Sequence, residues 1–164
     1  MFITSVRWLR IGLTLFLLAW IALARPALAA GVLDGFDPQA DGTVVATVMQ
    51  RDGKLLVGGY FGTLGGAVRN NIGRLNGDGT LDTGFNPGAN STVAGFVVQP
   101  DGKRVVFGMF NQFAGQARQT LIRLNADDSL DNGFNPVVNN QIRSMVQQPD
   151  GKLLLGERSP KWAG

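Results

Sequence analysis

The 164-residue chain carries 15 Lys and Arg against 12 Asp and Glu, with 23 Gly and neither Cys nor His. It therefore lacks a thiol nucleophile, a disulfide framework, a thiolate metal site and an imidazole base, and a Ser-His-Asp triad cannot be built. Arg7, Arg10 and Arg25 precede the first acid, so 15 less 3 leaves 12 basic against 12 acidic residues from Ala30 onward, and this neutral, interspersed remainder argues against a nucleic-acid partner.

Residues 1–29 read as a signal peptide. Arg7 and Arg10 form a positive start, and Ile11 to Ala24, IGLTLFLLAWIALA, is an uncharged apolar run. Pro26 breaks it, and Ala27-Leu28-Ala29 offers small residues where a signal peptidase reads. A membrane span needs about 20 apolar residues, so the run predicts a Sec-type leader, cut after Ala29, rather than an uncleaved anchor. The expected product is secreted or periplasmic, with no membrane attachment after cleavage.

The remainder is one unit copied. Phe36, Phe85 and Phe134 stand 49 residues apart, as do the Asp-Gly-Lys triplets at Asp52, Asp101 and Asp150. From Phe36 to Gly84, 22 of 49 residues are identical to the residue 49 places later, which fixes internal repetition as the basis of the fold. The repeat region spans 30–156, with units at 33–80, 81–129 and a partial 130–156, followed by a non-repeat tail at 157–164.

Each unit predicts four short strands. The first is Thr43 to Gln50, with counterparts at Thr92 to Gln99 and Gln141 to Gln148. Val44 and Val48 fall on one face with small Ala46 between, an inner strand against which something packs closely. The second is Lys54 to Phe61, apolar on both faces and hence covered on both sides. Gln99-Pro100-Asp101-Gly102-Lys103 predicts the tight hairpin joining them, and Arg51 in place of Pro weakens only its preorganisation. The third strand is Asn71 to Asn76, and the turn Gly77-Asp78-Gly79 leads to a fourth around Leu81 to Phe85.

The expected fold class is all-β: β-propeller-type repeats of about 49 residues, two complete four-stranded blades and a partial third. LDTGFNPGANSTV, the QPDGK turn, the VGGYF strand and RNNIGRLNGDGTLD resemble the delta-60 repeats of bacterial secreted proteins. The resemblance covers Leu33 to Gly156. It implies a secreted propeller module, with no agreed catalytic residues and no cofactor.

At Glu157 the pattern stops: Gly59 and Gly108 give way to Glu157, and Phe61 and Phe110 to Ser159. Propellers close with typically 4–8 blades, and a terminal repeat should present a polar outer face. Three explanations follow: self-association to close a ring, a truncated or frame-shifted remnant of a longer protein, or an open stack.

Candidate sites weigh against scaffold roles. Asn76 to Asp82 places oxygens at alternating positions, as in part of a calcium loop, but lacks the carboxylates and the bidentate Glu; a polar hairpin turn is the better account. Its counterpart is Asn125 to Asp131. Asp34, Asp82 and Asp131 recur, as do Arg74 and Arg123, and a catalytic pair should be unique rather than copied, so Arg–Asp contacts within or between blades are expected. Arg69 and Arg118 offer an anion site, or more simply bonds to nearby carbonyls. Phe61, Phe85, Phe110 and Phe134 belong to the core. Tyr60, Trp162, Asn139 and Asn140 stand in no motif. No catalytic, cofactor or metal residue is assigned. The expected function is a non-enzymatic binding or scaffold module with a protein or glycan partner; the alternatives are a truncated or frame-shifted remnant of a longer propeller protein without independent function, or a fragment of a carbohydrate-active propeller enzyme.

Overall fold

Three copies of one five-residue turn set the frame of the computed structural model, which describes residues 38–138 and 140–157. In Gln50–Lys54, Gln99–Lys103 and Gln148–Lys152 the Gly N–H donates to the Gln carbonyl at 3.1, 3.0 and 2.9 Å, and the Gln N–H to the Lys carbonyl at 2.7, 2.8 and 2.8 Å. Gly53, Gly102 and Gly151 take φ of 80°, 81° and 86°, the left-handed position that closes a three-residue hairpin loop. Each Asp carboxylate accepts the following Lys N–H at 3.1 Å. The turn at Arg51 has the same geometry as the two Pro turns.

All regular structure among the described residues is strand. In chain order these are β1 (Thr43–Met49), β2 (Leu55–Tyr60), β3 (Thr63–Leu64), β4 (Ala67–Val68), β5 (Ile72–Leu75), β6 (Val93–Val98), β7 (Arg104–Gly108), β8 (Gln112–Phe113), β9 (Gln116–Ala117), β10 (Leu121–Leu124), β11 (Ile142–Gln147) and β12 (Leu153–Glu157). Blade one is the antiparallel sheet β1-β2-β5, blade two is β6-β7-β10, and the third unit is the hairpin β11-β12. This is the expected all-β repeat architecture. Residues 1–29, expected to be a signal peptide, the start of the first unit and the tail from residue 158 lie outside the described residues.

Three local features differ from the expected blade. The innermost strand carries a bulge in every copy, between Val44 and Ala46, Val93 and Gly95, and Ile142 and Ser144, so strict alternation fails there. In the first two copies the second strand is glycine opposite the bulge. A Cβ at Gly59 would lie 2.0 Å from the Thr43 carbonyl oxygen, and one at Gly108 would lie 2.1 Å from that of Thr92. The segment after the second strand is a miniature hairpin, β3-β4 or β8-β9, rather than a plain loop.

The fourth strand contracts to one bridge, Leu75 to Leu81 and Leu124 to Leu130. Here the next residue is an Asp that turns the chain. Asp82 Oδ1 accepts the Gly84 N–H and its carbonyl accepts the Phe85 N–H; Asp131, Gly133 and Phe134 repeat the arrangement.

Packing is blade on blade. Leu56, Ile72 and Phe85 of blade one meet Val93, Val106, Phe110, Phe113, Ile122 and Leu124 in one buried cluster. A Cβ on Gly58 would come within 2.7 Å of both Phe96 and Val93, so this glycine is the recess that admits blade two. Val105, Phe107 and Leu121 pack likewise on Ile142, with Met145, Leu153 and Leu155 alongside. The opposite side of the third hairpin is open: Val146 and Leu154 are 55% and 58% exposed, whereas Leu56, in the place of Leu154, is buried.

Candidate functional site

The recurrent charges are consumed by the scaffold. Asp82 Oδ2 accepts from Lys54 Nζ and Arg74 Nε, each at 2.8 Å, and Asp131 Oδ2 accepts from Lys103 at 3.2 Å and Arg123 at 2.9 Å. Hydrogen bonds from Lys54 and Lys103, reinforced by the two arginines, hold both carboxyls below the usual Asp range against the cost of burial. Each arginine also lies over a phenylalanine further along the chain, Arg74 on Phe85 and Arg123 on Phe134, at 4.5 Å. Asp34 lies outside the described residues.

One part of this ionic system is not copied. Arg74 Nη1 and Nη2 donate to Asp128 Oδ1 and Oδ2 at 2.9 and 2.8 Å, linking blade one to blade two. Arg104 adds a bond to Asp128 Oδ1 at 2.6 Å and others to the Asn125 and Ala126 carbonyls. Blade one has Leu55 in place of Arg104 and Gly79 in place of Asp128. Burial opposes the Arg74 charge, yet its bonds to Asp128 and Asp82 raise its pKa; for Arg104 burial prevails and lowers it.

The other sequence candidates resolve as local structure. In Asn76–Thr80 the Asp78 carboxylate accepts the Thr80 N–H at 3.0 Å and hydroxyl at 2.7 Å, and Asp127 treats Ser129 the same way. These are capped turns, and no group of three or more acidic residues gathers for a metal among the described residues. Arg69 bonds the carbonyls of Val68, Asp82 and Thr83. Arg118 bonds the Ala117 carbonyl and Asn132 Oδ1. Phe61, Phe85 and Phe110 are buried and Phe134 is partly so. Asn140 donates to Glu157 at 3.0 Å. Asn139 and Trp162 lie outside the described residues.

What sequence reasoning missed is a cleft beside the ends of β1 and β2. It encloses about 430 Å³ and is bordered by Asp41, Tyr60, Gly62, Asn70, Asn71 and Asn90. A smaller recess of about 180 Å³ shares Asn70 and Asn90 with it and reaches Pro87 and Gln112. Asp41 Oδ1 accepts the Gly62 and Thr63 N–H groups at 2.8 and 2.9 Å, and these backbone bonds, that of Thr63 foremost, keep its carboxyl below the usual range. Asn90 Oδ1 anchors the next repeat alike, accepting from Asn111 and Gln112.

Asn71 has φ of 64°, a left-handed position that Asn tolerates. Its side chain accepts the Phe61 N–H at 3.1 Å and donates to the Ala89 carbonyl at 2.8 Å, fixing the cleft wall. Tyr60 is 67% exposed and Asn70 is exposed, so an aromatic ring and a carboxamide face solvent together. Among the described residues, no cationic side chain borders the cleft.

No curated protein matches the chain. Residues 50–85 and 99–134 match the family model of a domain of unknown function, DUF5122, described as a beta-propeller. The two matched stretches begin 49 residues apart, in register with the first two blades, and the chain is accordingly one built from β-propeller-type repeats.

Proposed function

We propose that this chain is an exported, non-catalytic module of the delta-60 repeat kind that binds a protein or glycan partner outside the cytoplasm. The observation that supports binding over catalysis is the state of Asp82 and Asp131. Asp82 is tied to Lys54 and Arg74 and Asp131 to Lys103 and Arg123, each held ionised, so neither is free to shuttle a proton. Fold alone fixes no activity, and the site has to carry the assignment. The leader pattern at 1–29 supports export, with a mature chain beginning at Ala30.

The test expresses the full chain with its leader in a bacterial host. Mass spectrometry of the extracytoplasmic material should find an N-terminus at Ala30. The same material, incubated with cell-wall and plant polysaccharides, should be retained on at least one surface or polymer without releasing new reducing ends. Release of reducing ends would overturn the non-catalytic reading, and an intact leader on cytoplasmic protein would overturn export.

A further inference from the structure

The repeat supplies its own control for finding a binding site. Scaffold residues recur at the 49-residue spacing because every blade needs them, whereas a site used once has no reason to recur. Of the residues bordering the Tyr60 cleft, only Phe61, a core ring, and Asn90 are identical 49 places on. Tyr60 becomes Met109, Asp41 becomes Asn90, Asn70 becomes Gln119 and Asn71 becomes Thr120. The aromatic ring and the carboxylate are both lost in the copy. The cleft is therefore special to the first junction, although the backbone beneath it is not.

We infer that this cleft is a saccharide subsite for a neutral or amino sugar; the inference rests on the binding-module reading and specifies its ligand. Tyr60 presents an exposed ring against which the apolar face of a pyranose can stack, while its hydroxyl remains available as donor or acceptor. Asn70 provides a carboxamide that both donates and accepts, as vicinal sugar hydroxyls require. Asp41 uses Oδ1 on two backbone N–H groups and stays ionised, so its carboxylate is an acceptor for hydroxyl or ammonium hydrogens. Among the described residues no Lys or Arg lies on the rim, and Asp41 does, which disfavours uronic or phosphorylated sugars. A volume of about 430 Å³ fits one or two sugar rings. The recess past Asn90 and Gln112 extends the path for a longer chain.

The test titrates the full chain, by calorimetry and saturation-transfer NMR, with maltotriose, cellotriose, chitotriose and chitosan trimer, and with trigalacturonate as the acidic counterpart. At least one neutral or amino trimer should bind saturably, with trigalacturonate at least about ten-fold weaker. Tyr60→Ala should weaken binding about ten-fold or more, as loss of a central aromatic contact does. Met109→Ala, at the matching position of the next repeat, should leave binding unchanged and reports on general damage. Circular dichroism and thermal unfolding of Tyr60→Ala, an exposed position, show whether the fold is kept. Binding indifferent to Tyr60→Ala, equal binding of trigalacturonate, or no binding of any trimer by the folded chain would each overturn the cleft assignment. In the first and last cases the wider binding-module reading stands if the chain still adheres to a surface or polymer without turnover.

Discussion

Arg74 of the first blade and Asp128 of the second meet fork to fork, at 2.9 and 2.8 Å, through a carboxylate whose place in the first blade is taken by Gly79. Asp128 sits at φ 72°, where the equivalent Gly79 has φ 87°. A left-handed backbone costs about 1–2 kcal/mol for a residue with a Cβ. The carboxylate offsets that cost by serving two largely buried arginines, Arg74 and Arg104, whose side chains are 8% and 4% exposed.

Asp128→Gly should thus relieve the backbone and still destabilise, by about 2 kcal/mol, because it leaves Arg104 buried beside Arg74 without its carboxylate. Adding Arg104→Leu, the residue at Leu55, should restore most of the loss. Urea unfolding of the single and double variants measures this, and additive losses would contradict the coupling.

Stability should depend on acid and little else. Asp82 has a folded pKa lowered by Lys54 and Arg74, and Asp41, Asp78, Asp127, Asp131 and Asp150 are lowered by their own hydrogen bonds. A depressed folded pKa stabilises at pH above the unfolded value, 3.8, and that stability is lost as pH falls through the folded value. With no His in the chain, the midpoint of thermal unfolding should be level from about pH 5 to 8 and decline below about pH 4. A step near pH 6 would contradict the assignment.

Gly58→Ala should destabilise by about 1–3 kcal/mol, since the new methyl would strike Phe96 and Val93 at 2.7 Å. Phe96→Leu in the same chain should recover part of it. Equal loss in the single and double variants would show that blade two does not seat its ring in that recess.

Thr120 holds φ 61° in the place of Asn71, a poor position for a β-branched residue. Thr120→Gly should therefore stabilise by about 1 kcal/mol, whereas Asn71→Ala should destabilise, losing bonds to Phe61 and Ala89. Denaturant midpoints separate the two, and a destabilised Thr120→Gly would overturn the strain account.

Much of the scaffold was legible in sequence because repetition multiplies the signal. Gln99-Pro100-Asp101-Gly102 reads as a hairpin turn alone and is decisive when three copies agree. The Arg74–Asp82 pairing followed from recurrence for the same reason. The bulge at Val45 was hidden: Val44, Ala46 and Val48 alternate well, and only the close approach of Gly59 shows that the strand buckles there. The fourth strand shortened because Asp82 turns the chain with its own side chain, a tertiary choice that the apolar pattern around Leu81 does not carry. The cleft was least legible, because Asp41, Tyr60, Asn70 and Asn90 are far apart in the chain and share no motif. The usable signal was negative, the failure of Asp41, Tyr60 and Asn70 to repeat.

The five-residue turns bear on how the chain folds. Each closes its strand pair over three loop residues, so the first cost of ordering is small and is met separately at Gly53, Gly102 and Gly151. Hairpins of this kind form in about 1–10 µs. The slow event is then the docking of preformed pieces, at the first junction the seating of Phe96 of blade two on Gly58 of blade one. Such a chain condenses piecewise along its length, each finished hairpin becoming the template on which the next one settles.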